Sequence, residues 1–458
     1  MFVVRSERVV LPDGIRPAAI VIRDGRIAEV VDRLERGSDL GASNGIDAGN
    51  RVIFPGIVDT HVHINDPGRA RWEGFEHATR AAAAGGVTTL VDMPLNSVPA
   101  TTTVAGLFAK RVAASDRCVV DVGFWGGVVP GNTDDLEPLA RAGVLGFKCF
   151  LSPSGVDEFG HVSEADLRAA LPVLAALDLP LLAHAEWPPL LVEPAAGSDP
   201  RRHETWLASR PSSSEQAAID LLIRLAEEFR ARVHVVHLAS ADAVPALRAA
   251  RARGSRITVE TCPHYLTFSA EEISDGATAF KCAPPIRSRT NREALWTALG
   301  AGDIDLVATD HSPSPPEMKH LDDGDFVKAW GGVASLQIGF SAVWTSASAR
   351  GVPLERLAEW FCAAPARLAG LDRQKGRIAA GCDADLMILD PDAETVVDPL
   401  SLYHRHPITP YAGRTLRGRV HTTLLAGRVV FADGEFPSPC GGRLLGRDRR
   451  AGAAAAIA

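Results

Sequence analysis

The chain has 458 residues, and its 48 basic and 56 acidic side chains leave a formal net charge of only −8. The chain has no block of basic residues of the kind that would indicate nucleic acid as a partner. It also has no run of the ~18 apolar residues that a membrane-spanning helix needs. Seven scattered cysteines and an N-terminus without signal-peptide character favour a reducing compartment, the cytoplasm, over a disulfide scaffold.

The two ends of the chain have a pattern of their own. Residues 1–54 contain short apolar runs broken by turns, and Asp24-Gly25 between two of them is a strong hairpin signal. Similar runs recur near the other end, at 376–379, 384–389 and 422–430. We therefore predict a small β-sandwich made of residues 1–54 and 370–440. Residues 441–458 are predicted to be a C-terminal tail whose Ala-rich end frays.

Eight short apolar runs occupy the middle of the chain, and a loop and a helical pattern follow most of them. These runs cover residues 52–63, 85–93, 119–125, 144–150, 179–186, 233–238, 257–264 and 304–311. Stretches such as Glu215 to Arg230 and Ala241 to Arg253 have helical spacing. Apolar strands that alternate with helices indicate a parallel sheet covered on its outer face. We predict an α/β fold, a (β/α)8 barrel over residues 55–369, with its site at the C-terminal strand ends.

The first of these runs ends in His61 and His63, whose side chains would share one face of a strand. Imidazole is a common zinc ligand, although a strand end with two incidental histidines gives the same pattern. Four later runs also end in or near a polar side chain: Lys148, His184, His237 and Asp310. One metal takes about four ligands, so six inward groups predict two ions that share a bridging ligand.

Lys148 is unusual because it lies between Phe147 and Cys149 in an apolar run. Only six of the 48 basic residues are lysines, so arginine is the ordinary cation of this chain. An ammonium has no lone pair for a metal, but a carbamate formed with carbon dioxide would be a bridging anion. The alternative is a lysine that extends from the barrel rim to water.

Ten short segments spread along the chain contain residue combinations that are specific when taken together. They cover residues 59–69, 72–75, 86–89, 93–96, 146–150, 259–265, 281–287, 309–313, 330–332 and 403–407. Together they resemble the binuclear amidohydrolase superfamily and, within its cyclic amidohydrolase branch, most resemble the allantoinases. The resemblance implies that two divalent ions are bound and that Lys148 is carboxylated to N6-carboxylysine. The implied ligands are His61, His63, Lys148, His184, His237 and Asp310.

The resemblance also implies a reaction, a metal and an assembly. Zinc is the first choice of metal, although manganese, cobalt and iron suit the same ligands. Two ions beside one water would lower its pKa for attack on a cyclic amide, and Asp310 would serve as general base and then general acid. For allantoin this hydrolysis would yield allantoate. The implied assembly is a homotetramer.

Two positions distinguish the activities within the branch. Dihydroorotase-like chains carry an arginine two residues after the second histidine, where this chain has Asn65. Hydantoinase-like chains carry a tyrosine donor five residues after the bridging lysine, where this chain has Pro153. Uncharged allantoin suits neutral polar groups. The candidate contacts are Ser154 as the substitute donor, Asn96, Ser312 and the backbone around Cys282 and Gly331.

Two other functions stay open. One is a hydantoinase or dihydropyrimidinase, and the other is a non-catalytic assembly protein, whose relatives have lost metal ligands. All six ligand positions are filled here, which favours an enzyme. The sequence assigns structural or surface roles to His234, His264 and His311, and it assigns no role to His404 and His406.

Overall fold

The computed structural model describes residues 1–32, 45–437 and 440–446. The predicted fraying of the Ala-rich end concerns residues outside this description. The strands of the described part are β1 (Phe2–Leu11), β2 (Gly14–Arg23), β3 (Arg26–Val31), β4 (Gly45–Asp47), β5 (Val52–Pro55), β6 (Ile57–Val62), β7 (Val87–Asp92), β8 (Asp121–Phe124), β9 (Gly126–Gly127), β10 (Phe147–Phe150), β11 (Leu181–His184), β12 (Val233–Val235), β13 (Ile257–Thr261), β14 (Leu306–Val307), β15 (Leu386–Val396), β16 (Thr415–Leu425) and β17 (Arg428–Ala432).

Most of the helices lie between the central strands. They are α1 (Phe75–Ala84), α2 (Val104–Ala114), α3 (Thr133–Ala142), α4 (Glu164–Leu177), α5 (His203–Ser209), α6 (Ser212–Phe229), α7 (Val244–Ala252), α8 (Pro263–Thr267), α9 (Arg289–Ala301), α10 (Gly339–Ala349), α11 (Leu354–Ala358) and α12 (Ala364–Leu368). Both helical stretches predicted above are confirmed, as α6 and as a 3₁₀ turn that leads into α7. No helix in the described ranges is long and apolar enough to cross a membrane.

Strands from both ends of the chain form one sheet, in the order β17-β16-β15-β5-β1-β2-β3, with β4 paired to β1. The antiparallel contact of β5 with β15 joins the two ends. The predicted hairpin is confirmed: Asp24 and Gly25 connect β2 to β3 with φ angles of 49° and 77°. Apolar side chains of this sheet pack into a core of their own. The small β domain is therefore built from both termini, as predicted.

Two details of this domain differ from the sequence expectation. Residues 376–379 are not a strand, although Ile378 is buried in the core of the sheet. The run 422–430 is not continuous, because Ala426 and Gly427 adopt positive φ angles of 47° and 73° and turn the chain from β16 into β17. The apolar runs therefore predicted correctly which residues are buried, but they did not predict where the strands end.

The eight central runs form parallel strands of a closed barrel. β6, β7 and β8 pair in one sheet, and β9 to β14 pair in sequence in another. Leu145 N donates to Phe124 O at 3.0 Å, which joins β8 to the fourth run. A parallel bridge between Val62 and His311 closes the ring. The (β/α)8 architecture is thereby confirmed, and such barrels carry their sites at the carboxyl ends of the strands.

Gly56 marks the passage from the terminal sheet into the barrel. β5 ends at Pro55 and β6 begins at Ile57, so the first apolar run serves both domains. A Cβ atom on Gly56 would lie 2.3 Å from Thr88 Oγ1, which no other residue type could accommodate. The domain limits predicted from the sequence stay predictions.

The first residues of the predicted tail lie along the barrel. Val122 N donates to Arg443 O at 2.9 Å, and Leu445 N donates to Val122 O at 2.8 Å. The Arg443 guanidinium also contacts two buried carboxylates, 2.8 Å from Asp121 and 2.6 Å from Asp383. Residues 440–446 therefore form an additional connection between the barrel and the terminal sheet.

Candidate metal centre and substrate cavity

The six predicted ligands all lie at the carboxyl ends of barrel strands. They are His61 on β6, His63 just beyond it, Lys148 on β10, His184 on β11, His237 beyond β12 and Asp310 beyond β14. Every one of them is buried. His237 and Asp310 have φ angles of 41° and 45°, in the left-handed region that is uncommon for non-glycine residues.

The ligands form two adjoining groups. In the first, Asp310 Oδ1 lies 3.1 Å from His61 Nε2 and 3.4 Å from His63 Nε2. In the second, His184 Nδ1 lies 3.0 Å from His237 Nε2. The rings of His61 and His237 are 5.3 Å apart between centroids, which joins the two groups. The structure thus brings together residues that are far apart in the chain.

Lys148 lies at the base of this site. Its side chain is fully buried, and Nζ has no hydrogen-bond partner within the described ranges. The ring centroid of Phe150 lies 4.8 Å from Nζ. Burial lowers the pKa of Lys148 to about 8, so the neutral amine is more accessible than in an ordinary lysine.

The donor set fits divalent metal ions. Besides Lys148 Nζ, the ring atoms His63 Nδ1 and His237 Nδ1 are buried without a partner in the part of the chain described here. Buried polar atoms are normally hydrogen-bonded, so three unsatisfied nitrogens among the six candidate ligands need an explanation. Imidazole nitrogens and a carboxylate are the ligands that zinc and its neighbours accept.

A buried carboxylate that the sequence analysis missed orients part of this set. Glu260, on β13, lies with Oε1 2.5 Å from His61 Nδ1 and with Oε2 3.0 Å from His234 Nε2. Although burial opposes its ionisation, His61 and His234 hold the pKa of Glu260 at about 2. A carboxylate on the far nitrogen of a ligating histidine fixes its tautomer and ring orientation. The sequence feature that could have indicated this role is the position of Glu260 as a lone acidic residue in an apolar strand.

A second carboxylate has the same relation to His184. Glu186 Oε2 lies 2.7 Å from His184 Nε2 and 2.5 Å from Arg210 Nη1. Glu186 is buried, and it follows His184 by two residues in the fifth apolar run. Its position in that run was visible in the sequence, whereas the pairing with Arg210 was not.

Above the ligands opens a cavity of about 240 Å³. Four of the five candidate substrate contacts line it: Asn96, Ser154, Ser312 and Gly331. Cys282 does not line it, but the next residue, Ala283, does. The lining residues that the sequence did not indicate include Trp206, Arg210, Lys281 and Trp330. Lys281 and Trp330 lie in the segments 281–287 and 330–332, which carry the family resemblance.

The two distinguishing positions differ in their relation to the cavity. Pro153 lines it, whereas Asn65 is buried beside it with Nδ2 3.5 Å from Pro313 O. The Ser154 hydroxyl donates to Phe159 O at 2.6 Å, within its own loop. The side-chain oxygen of Asn96 is buried and has no partner in the described residues.

Four histidines that are not candidate ligands lie near the site without lining the cavity. His264 is buried, and its nearest ring nitrogen lies within 4.8 Å of a carboxylate oxygen of Asp310. His311 packs behind strand eight, where Nδ1 accepts from Ser335 N at 3.2 Å. His404 lies beside it, with ring centroids 5.8 Å apart, and His406 Nε2 donates to Arg71 O at 2.8 Å. These two therefore connect residues 403–407 to the back of the barrel mouth.

Comparison with known proteins shows similarity along nearly the whole chain. Residues 52–430 match the profile of the Amidohydrolase family. An allantoinase of Streptomyces avermitilis is 52% identical over 447 residues, covering 97% of this chain and 98% of the relative. An allantoinase of Arabidopsis thaliana is 45% identical, covering 96% and 90%. Among solved structures, the L-hydantoinase (dihydropyrimidinase) of Arthrobacter aurescens has a TM-score of 0.91 at 34% identity, covering 97% of this chain and 99% of that one.

Proposed function

Because this chain belongs to the amidohydrolase family, we propose that it is an allantoinase, an enzyme that opens the hydantoin ring of allantoin to give allantoate. The observation that carries this proposal is the 52% identity to an allantoinase along almost the full length of both chains. The identity to the hydantoinase of similar fold is lower, at 34%. The six filled ligand positions support an enzyme over an assembly protein.

We further propose how the site holds its metals. His61, His63, His184, His237 and Asp310 would bind two divalent ions, with zinc as the first choice and a carbamate on Lys148 as the shared ligand. The lowered pKa of Lys148 supports this, because the neutral amine is the form that reacts with carbon dioxide. When bound, such a pair of ions supplies a polarised carbonyl and a water of lowered pKa.

Proton transfer falls to Asp310. Although burial opposes its ionisation, the adjacent His61 holds the pKa of the Asp310 carboxyl well below its usual range. The carboxylate is therefore ionised at neutral pH and can accept the proton of the attacking water. It can then return this proton to the ring nitrogen as the C–N bond breaks, which is general base and then general acid catalysis.

Neutral polar groups would recognise the substrate. The proposed contacts are Asn96, Ser154, Ser312 and the backbone around Cys282 and Gly331. Asn65 and Pro153 stand where the sister activities carry the arginine for a carboxylate and the tyrosine donor, and Arg210, which lines the cavity, is paired with Glu186. A dihydroorotate carboxylate buried here without a partner would cost several kcal/mol. The Ser154 hydroxyl can donate to the substrate only if it breaks its hydrogen bond to Phe159 O. The variant Ser154→Ala tests this role directly. An unchanged kcat on allantoin would mean that the hydroxyl only stabilises its own loop.

The second candidate function is a hydantoinase or dihydropyrimidinase, favoured by the close similarity in fold to the Arthrobacter aurescens enzyme. A panel of allantoin, hydantoin, dihydrouracil and dihydroorotate separates the two. We expect the highest kcat/KM for allantoin, slow turnover of plain hydantoin and essentially none of dihydroorotate. A higher kcat/KM for hydantoin or dihydrouracil than for allantoin would replace the allantoinase proposal by this alternative.

Metal analysis of the purified enzyme belongs to the same test. About two ions per chain are expected, with loss of activity on chelation and recovery when metal and bicarbonate return. Absence of both metal and ring-opening activity would favour the assembly protein. We also propose a cytoplasmic homotetramer, for which light scattering should give four times the 48.6 kDa chain mass.

A further inference from the structure

One wall of the cavity is an irregular stretch of chain. We name residues 327–332 the rim segment; it contains neither helix nor strand, and Ala329, Trp330, Gly331 and Gly332 line the cavity. Peptide carbonyls outside a regular ladder need other donors when they are buried. The donors to the carbonyls of the rim segment therefore explain how its conformation is stabilised.

Two lysines supply these donors. Lys281 Nζ lies 2.9 Å from Val327 O and 2.5 Å from Ala329 O. Lys319 Nζ lies 3.0 Å from Trp330 O and also donates to Gly332 O. Four of the six carbonyls of the rim segment are therefore bound by two ammonium groups, each of which joins two peptide units.

This arrangement is costly for the fold. Lys281 and Lys319 are only 4% and 3% exposed, and neither forms an ion pair with a carboxylate among the described residues. Burial lowers the pKa of Lys281 to about 7 and that of Lys319 to about 8. A buried cation without a counter-ion is normally avoided, and neutral donors would satisfy the same carbonyls at lower cost.

The rim segment is also fixed against the catalytic strand ends. Gly332 N donates to Lys281 O at 2.8 Å. A Cβ atom on Gly332, where φ is +153°, would lie 2.2 Å from Ser312 O, so only glycine allows this approach. A Cβ atom on Gly331 would lie 3.8 Å from Ala283 N. The rim thus adjoins Ser312, two residues beyond Asp310, and the backbone beside Cys282.

We propose that Lys281 and Lys319 are positioning residues for substrate binding: they hold the rim segment so that the Gly331 peptide and the Ser312 side chain face a cyclic ureide. This inference rests on the proposed function and deepens it. The ring of a cyclic ureide alternates C=O and N–H groups, and a fixed peptide matches that alternation only at one distance and angle. A displaced peptide loses hydrogen bonds that it makes equally to the bound substrate and to the transition state, and such a loss raises KM more than it lowers kcat.

The test replaces each lysine by methionine, which keeps the length of the side chain and removes the donors. We expect the KM for allantoin to rise at least about tenfold in Lys281→Met and Lys319→Met, with kcat and metal content much less affected. Lys375→Met is the matched control, because Lys375 is a buried lysine bound by Asp121 and Asp385 outside the cavity. It should lower stability without changing KM. Unchanged KM in both rim variants, with folded and metal-loaded protein, would overturn the proposal.

A second measurement does not depend on the variants folding. In the wild type, hydrogen exchange should show the amides of residues 329, 330 and 332 protected before any substrate is added, with little gain on adding allantoin, because they donate to Asp325 O, Met318 O and Lys281 O. A rim segment that becomes protected only with substrate present would contradict the proposal. Where the methionine variants fold, exchange should accelerate in the rim segment and not in the barrel strands.

The two proposals fail in distinguishable ways. Failure of the wild type to open allantoin refutes the proposed function, and the KM comparison then uses the best substrate of the panel. Turnover of allantoin by the wild type with unchanged KM in both variants refutes the lysine inference alone.

Discussion

Replacement of Lys148 by methionine should stabilise the metal-depleted protein while abolishing turnover. In the absence of metal, the Lys148 ammonium is fully buried and has no hydrogen-bond partner in the described residues. Methionine has nearly the same length and carries no charge, so it removes the desolvation penalty and fills the same space. Turnover is lost because the amine that would carry the bridging carbamate is gone.

The size of the stabilisation follows from the pKa. Burial lowers the pKa of Lys148 from 10.5 to about 8, and this difference corresponds to roughly 3 kcal/mol of folding free energy. Below about pH 8 both the folded and the unfolded chain carry the proton, and the full penalty applies. Between about pH 8 and 10.5 only the unfolded chain binds it, so the stability of the wild type rises with pH in that window. The advantage of the variant should therefore shrink from roughly 3 kcal/mol at pH 7 toward zero above pH 10.5.

Urea unfolding of chelator-treated protein in carbon dioxide-free buffer at pH 7 and pH 10 measures this difference. Metal content and allantoin turnover after reloading complete the assay. Lys110→Met is the matched control, since Lys110 is equally buried but its Nζ lies 2.6 Å from Asp92 Oδ2. Removal of that partner leaves a buried carboxylate unpaired, so this control should be destabilised by about 3–5 kcal/mol. A Lys148→Met variant that is less stable than the wild type at pH 7, or that retains full turnover, would refute the reasoning.

Two further substitutions separate proton transfer from metal binding. Asp310→Asn keeps one oxygen donor but cannot accept a proton, so turnover should fall by ~10²–10⁴-fold with metal retained; near-normal kcat in a metal-loaded variant would remove Asp310 from proton transfer. Glu260→Gln weakens the hydrogen bond that orients His61, so metal affinity in competition with a chelating dye should drop by roughly 10–100-fold. Unchanged affinity would mean that the packing around His61, and not Glu260, holds the ring.

Apolar periodicity in the sequence predicted most of the architecture. Strands buried on both faces, such as β7, leave continuous apolar runs, and their alternation with amphipathic helices is local information. The breaks were less visible, because the turn at Ala426-Gly427 depends on backbone angles that an apolar run does not encode. Likewise, the apolar character of Ile378 predicted its burial but did not show that this residue lies outside any strand.

The six candidate ligands could be identified from residue type and position alone, because barrel topology places every strand end at one mouth. The rarity of lysine was a real signal: of the six lysines, all but Lys328 are buried. This rarity singles out Lys148 in its apolar run, whereas the partners of Lys281 and Lys319 are backbone carbonyls, which leave no pattern in the sequence.

Only the tertiary structure decided which groups meet. Glu260 contacts His61 across 199 positions of the chain, and Glu186 joins His184 to Arg210. The sequence contains the residue types that can ligate, donate or accept, because these are properties of single side chains. Which nitrogen faces which carboxylate, and which carbonyl receives an ammonium, depends on angles and distances that exist only once the barrel has closed and its loops have packed over the mouth.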